Sequence, residues 1–118
     1  MRRRAFDPTS LLPLMPAEFQ ILLALADDDR HGYGIMTEVK ERTNGAVAIG
    51  PGTLYGTVKR LVERGLVEEA DERHDPSLND KRRRYYHLTK LGRRTAAAEA
   101  ERLVALVRDA RAKELIGP

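Results

Sequence analysis

The chain has no cysteine, which removes a disulfide framework, a cysteine-based zinc site and a thiol nucleophile, and agrees with a reducing compartment. It also has no apolar run near the ~20 residues that a membrane-spanning helix needs. Arg2-Arg3-Arg4 followed by Leu11-Leu12-Pro13-Leu14-Met15 is too brief and too interrupted by proline for a signal peptide. A cytoplasmic protein with no membrane partner is expected. Catalytic patterns are missing as well. His31, His74 and His87 are scattered, and no Ser-His-Asp set, paired carboxylates or phosphate-cradling glycine loop is evident, so no enzyme is expected.

Two weak metal readings stand beside plainer ones. Asp27-Asp28-Asp29 is a turn rather than a cation site, because consecutive carboxylates point in divergent directions. His74, Asp75 and His87 can ligate a metal only if the intervening segment folds back; exposed loop and strand residues are the usual explanation. Neither a metal nor a cofactor is expected.

What is present fits one small domain. The 118 residues are 42% apolar and 33% charged, which argues for a soluble globular protein and against a disordered one. The core is small enough that help from a partner chain is expected. The net charge of +3 is unevenly spread. Residues 73 to 94 hold eight Lys or Arg against two Asp, a local +6, and leave the rest of the chain at −3. Taken alone, a basic run is as often a solvated face as a polyanion site; its neighbours decide.

Helical spacing predicts a first helix from Pro16 with Phe19, Leu22, Leu23 and Ala26 on one face, ending near Asp27. His31-Gly32-Tyr33-Gly34 opens a second, carrying Ile35, Met36 and Val39 inward and closed by Thr43-Asn44-Gly45. Ala46-Val47-Ala48-Ile49 is β-prone enough for a small strand. Gly50 and Pro51 then start a third helix with Leu54, Val58, Leu61 and Val62 on one stripe, and Gly65 stops it in a left-handed cap with Leu66 packed back. Residues 66–70 and 84–88 read as two strands, Tyr86 and Leu88 inward and Tyr85 and His87 outward. Thr89 caps a last helix expected to run to about Leu115. Along it Ala96, Ala100, Leu103, Val107 and Ala110 recur at steps of 4, 3, 4 and 3, a coiled-coil-like seam for a second chain, the alternative being packing on its own domain.

Three helices, a two-stranded hairpin and a helix make a mainly α fold with a small β-hairpin, a winged helix-turn-helix with a C-terminal dimerisation helix. The third helix is then the reading element for a DNA groove. Thr53 and Thr57 can meet a thymine methyl or a phosphate, Lys59 and Arg60 a phosphate or guanine, and Gly56 permits close backbone approach. Tyr55 stands open between a core aromatic and a phosphate ligand. In the wing, Arg82 and Arg83 are the first candidates for a phosphate or minor-groove contact and Lys81 the next, whereas Arg84 is drawn back along its strand. Arg2-Arg3-Arg4 is a candidate minor-groove arm, disordered without DNA. The expected divisions are a flexible basic arm over 1–13, the DNA-binding unit over 14–89 and the dimerisation helix over 90–118.

Four segments at matching spacing resemble the PadR-like transcriptional regulators in their short form with a single C-terminal helix. They are His31-Gly32-Tyr33, Pro51-Gly52-Thr53-Leu54-Tyr55, Leu61-Val62-Glu63-Arg64-Gly65-Leu66-Val67 and Tyr85-Tyr86-His87-Leu88-Thr89-Lys90-Leu91-Gly92, covering residues 16 to 92 in order. The resemblance implies a homodimer on a pseudo-palindromic double-stranded operator, usually a repressor released by a small-molecule effector or other signal. Two features depart from it: the wing loop is long without a tip glycine, and with no Trp a drug pocket of stacked tryptophans does not carry over. A reading of another class keeps the winged helix but makes it a protein-interaction or ligand-sensing module whose basic surface meets an acidic protein.

Overall fold

The computed structural model describes residues 7–74 and 82–118, with the backbone alone for 71–74 and 82. A 3-10 turn (Pro8–Leu11) leads into α1 (Pro16–Ala24), β1 (Arg30–His31), α2 (Gly32–Arg42), α3 (Pro51–Glu63), β2 (Val67–His74), β3 (Arg82–Leu88) and α4 (Lys90–Ala112). The strands form an antiparallel sheet in the order β1-β3-β2. Ile21, Leu22, Ile35, Val39, Leu54, Leu61, Leu66 and Val67 are almost wholly buried between α1, α2, α3 and the sheet. This is the expected mainly α architecture, a winged helix-turn-helix.

Helix α1 starts at Pro16, but its inward face is rotated from the expected one. Glu18, Ile21, Leu22, Ala24 and Leu25 are buried, while Phe19, Leu23 and Ala26 are only half-buried. Glu18 explains the phase. One carboxylate oxygen accepts from the Met15 N–H at 2.7 Å and the other from Arg64 Nη1 at 2.7 Å, so the acid is held inside, tying the start of α1 to the end of α3.

The strand expected over Ala46 to Ile49 does not form. Thr43 Oγ1 accepts from the Val47 N–H at 3.0 Å, satisfying that backbone locally, and Val47 and Ile49 pack against the core from an irregular segment. The third strand is instead Arg30–His31, paired with Tyr86 and Tyr85. The hairpin is longer than predicted and carries a bulge between Glu69 and Glu72. Its alternation is as expected: Tyr86 and Leu88 are buried, and His87 faces outward.

Residues 7–14 are folded, not part of a flexible arm. The 3-10 turn lies along α4, Leu11 and Leu12 pack on the core, and Leu14 is buried. The Leu14 N–H donates to Glu99 Oε2 at 2.9 Å. Arg2-Arg3-Arg4 lies outside the described residues.

Helix α4 ends at Ala112, three residues before the expected stop, with Glu114 at φ 62° and the Leu115 N–H closing on the Ala110 carbonyl at 2.9 Å. At about 1.5 Å per residue it is about 35 Å long. Its buried residues, Gly92, Thr95 and Glu99, all lie in the first half. The radius of gyration, 16.3 Å, exceeds the roughly 13.5 Å of a compact domain of this length, as a projecting helix requires.

Glu99 supports the first half of α4 electrostatically. The Arg102 guanidinium hydrogen-bonded to it, helped by the Leu14 N–H and opposed by burial, holds its carboxyl below the ordinary value of 4.5. A depressed folded pKa stabilises above the unfolded value, and that contribution disappears as pH falls through the folded one. Thermal melts should therefore drop steeply below about pH 4.5 in the parent chain. In Glu99→Gln stability should be lower by about 1–3 kcal/mol at neutral pH and the acid drop shallower; an equally steep drop would assign it to other carboxylates.

Candidate nucleic-acid interface

Helix α3 begins as its sequence dictates. Gly50 is the N-cap, Pro51 occupies a position whose N–H is not needed, and no acidic side chain opposes the positive end of the dipole in the first turn. The helix ends in a Schellman arrangement: Gly65 sits at φ 77°, its N–H bonds the Val62 carbonyl at 3.0 Å, and the Leu66 N–H bonds the Leu61 carbonyl at 2.9 Å.

Between these ends Leu54, Thr57, Val58 and Leu61 face the core, and Gly52, Thr53, Tyr55, Gly56, Lys59 and Arg60 face solvent. Thr57 is thereby corrected. Only 1% exposed, it cannot meet a groove; its hydroxyl accepts from Arg60 Nη2 at 3.2 Å. Thr57 acts behind the surface, folding Arg60 back toward the Gly56 carbonyl at 3.4 Å. Lys59 leans the other way, over a shallow groove lined with Glu63, Glu69, Tyr55 and Tyr86. Burial raises the Tyr86 pKa, and the Glu69 charge adds to the effect.

Tyr55 stands at the boundary of core and surface. It is half exposed, yet its ring end rests on the start of α2, where a Cβ on Gly32 would lie 2.7 Å from Tyr55 Cζ. Gly32 is therefore a close-approach glycine. On β3, Arg84 is drawn back to Glu69 at 3.2 Å, as expected, while Arg83 is half-buried with its Nε buried and without a hydrogen-bond partner among the described residues. Lys81 and the Arg82 side chain lie outside the described residues. His87 Nδ1 pairs with Asp29 at 2.7 Å, and no cluster of three His, Asp or Glu side chains suited to a metal occurs among the described residues.

The residues of the expected seam on α4 separate. Ala96 packs on its own core and so leaves the seam. Ala100 and Val107 are exposed, Leu103 and Ala110 are half-buried, and Val104 and Leu106 add 49% and 51% exposed apolar side chains. Sequence reading gave no functional role to Tyr33, 59% exposed in the first turn of α2. The usable signal was a large aromatic at a helix start that lies off the buried stripe of Ile35 and Val39.

An exposed third helix braced by a second and flanked by an arginine-bearing hairpin defines the winged-helix class of regulators. Residues 21–98 match the transcriptional regulator PadR-like family, and the chain belongs to it. That family is one of transcriptional regulators. Among relatives, an uncharacterized protein of Lysinibacillus sphaericus is 33% identical over 73 residues, 62% of this chain and 64% of that protein. The chain spans 64% and 24% of the lengths of the curated relatives it matches. A PadR family transcription regulator of Clostridium difficile superposes with a TM-score of 0.68 at 23% identity, covering 80% of this chain and 94% of that one. Bacillus subtilis PadR in complex with operator DNA superposes at 0.61 and 20% identity, over 73% of this chain and 47% of that one. Among the described residues no helix is long and apolar enough to cross a membrane.

Proposed function

We propose that this regulator binds double-stranded operator DNA as a homodimer in the cytoplasm, α3 entering the major groove, the wing resting on adjacent backbone, and α4 joining two copies. Two-fold symmetry sets the half-sites roughly 34 Å apart on a pseudo-palindrome. Occupancy represses, and a small molecule or other signal relieves it.

One observation carries the DNA reading: α3 exposes two glycines that the fold does not need. A Cβ on Gly52 or Gly56 would meet nothing within 4 Å, although glycine inside a helix costs up to about 1 kcal/mol relative to alanine. The absent side chains make room for something that approaches α3, beside Thr53 and Arg60. That the Bacillus subtilis neighbour was solved in complex with operator DNA supports a DNA partner.

Two measurements test this. Gly56→Ala should raise the melting temperature and yet weaken duplex binding about tenfold or more, because the methyl enters a close contact. With about six phosphates neutralised, log affinity should fall against log salt with a slope near −5. A slope near zero, or unchanged affinity in Gly56→Ala, would remove α3 and the basic wing from the interface.

A further inference from the structure

The start of α2 carries a recess that base reading by α3 does not explain. It measures about 180 Å³ and is lined by His31, Tyr33, Tyr55, Arg83 and Arg84 around Gly32. His31 and Tyr55 are held from behind. His31 is the N-cap, its Nδ1 accepting from the Gly34 N–H at 2.9 Å, and its ring lies between Tyr33, stacked at 6.4 Å, and Tyr85, edge-on at 5.2 Å. Tyr55 is seated against Gly32, and Arg83 contributes an Nε that is buried and has no hydrogen-bond partner among the described residues.

These groups share one chemistry. Phenolic hydroxyls donate single hydrogen bonds, a guanidinium offers a fork matched to phosphate oxygens, and the first turn of α2 has no acidic residue to neutralise its positive end. Tyr55 belongs to the exposed face of α3, one residue from Gly56, so an anion in the recess adjoins whatever that face reads. Phosphates along a duplex are such anions, and contacts to them set register rather than sequence.

We infer that Tyr33, Tyr55 and Arg83 form a seat for one backbone phosphate per half-site, Tyr33 and Tyr55 donating their hydroxyls and Arg83 its guanidinium. The inference rests on the DNA reading above. It makes Tyr33, which belongs to neither α3 nor the wing, a DNA ligand.

The test uses a duplex selected from the source genome, with each phosphate in turn replaced by a neutral methylphosphonate. In the parent protein one position per half-site should lower affinity about tenfold, as expected for loss of a charge-assisted hydrogen-bond set. Tyr33→Phe and Tyr55→Phe keep the rings and remove only the hydroxyls. Each should weaken binding about three- to tenfold by the same factor on every base variant of the duplex, and Arg83→Ala should also reduce the salt slope by about one. In all three variants the methylphosphonate at the seat should cost less than in the parent, with other positions unchanged. If every methylphosphonate costs these variants what it costs the parent, the seat is overturned while DNA binding stands. If the parent retains no duplex at any salt concentration, the DNA reading falls and the seat with it.

Discussion

Val104→Glu combined with Val107→Glu should convert the protein from a dimer to a monomer and lower operator affinity by about 10²- to 10⁴-fold. Both side chains are exposed in the single chain, at 49% and 39%, one turn apart on α4, so charging them disturbs no contact within the fold. What they disturb is the apolar strip that they form with Ala100, Leu103 and Ala110, along a helix whose second half has no buried residue. Four glutamates across a two-fold interface would have to be desolvated and face one another. In the proposed dimer the loss in DNA binding is large because one copy would read only half a site, and joining two copies raises affinity through effective concentration rather than through any new contact. Sedimentation equilibrium should give the 13.3 kDa chain mass for the variant and twice that for the parent. A parent that is monomeric, or a variant that stays dimeric, would remove α4 as the joint.

Gly92→Ala should destabilise the fold by about 3 kcal/mol, lowering the melting temperature by about 10 °C or more. Gly92 lies in the first turn of α4, where an added Cβ would collide with the Leu66 carbonyl oxygen and lie 2.9 Å from the carbonyl carbon and 2.7 Å from Leu88 Cδ1. Backbone cannot move aside as a flexible side chain can. Moreover, α4 is pinned at this point: the Thr89 hydroxyl donates to the Gly65 carbonyl at 2.6 Å and accepts from the Gly92 N–H at 2.9 Å, while the Thr89 N–H donates to the Leu66 carbonyl at 3.1 Å. Accommodating one methyl would break these bonds or displace Leu66, which is fully buried. Gly52→Ala serves as the control, because open space surrounds its Cβ position and its stability should not fall. A melting temperature in Gly92→Ala equal to the parent's would show that the joint yields.

How much of this was legible in the sequence depends on how local each cause is. The bounds of α3 were readable because Pro51 and Gly65 act on their own backbone, and the alternation of Tyr85 to Leu88 because a strand has a period of two. Thr57 was readable and misread: it follows Leu54 by three and precedes Leu61 by four, inside the buried stripe, and polarity alone suggested the outer face. By contrast β1 is two residues long and exists only through Tyr85 and Tyr86, more than fifty positions away. The N-terminal segment was equally hidden, since Leu14 finds its acceptor in Glu99, 85 residues distant. Of the interface residues, the outward set on α3 followed from helical period. The role proposed for Tyr33 did not, because it depends on a recess assembled from β1, α2, α3 and β3.

The joint at Thr89 also bears on mechanics. The carbonyl that ends α3 and the hydroxyl that starts α4 share one hydrogen bond, so a tilt of one helix is passed directly to the end of the other. In the proposed dimer, tilting a helix about 35 Å long by some ten degrees swings its far end by about 6 Å, nearly the rise of two base pairs. A signal acting anywhere along α4 would thus need to distort neither reading head. Mistuning the distance between them by that amount would be enough to take both out of step with the operator.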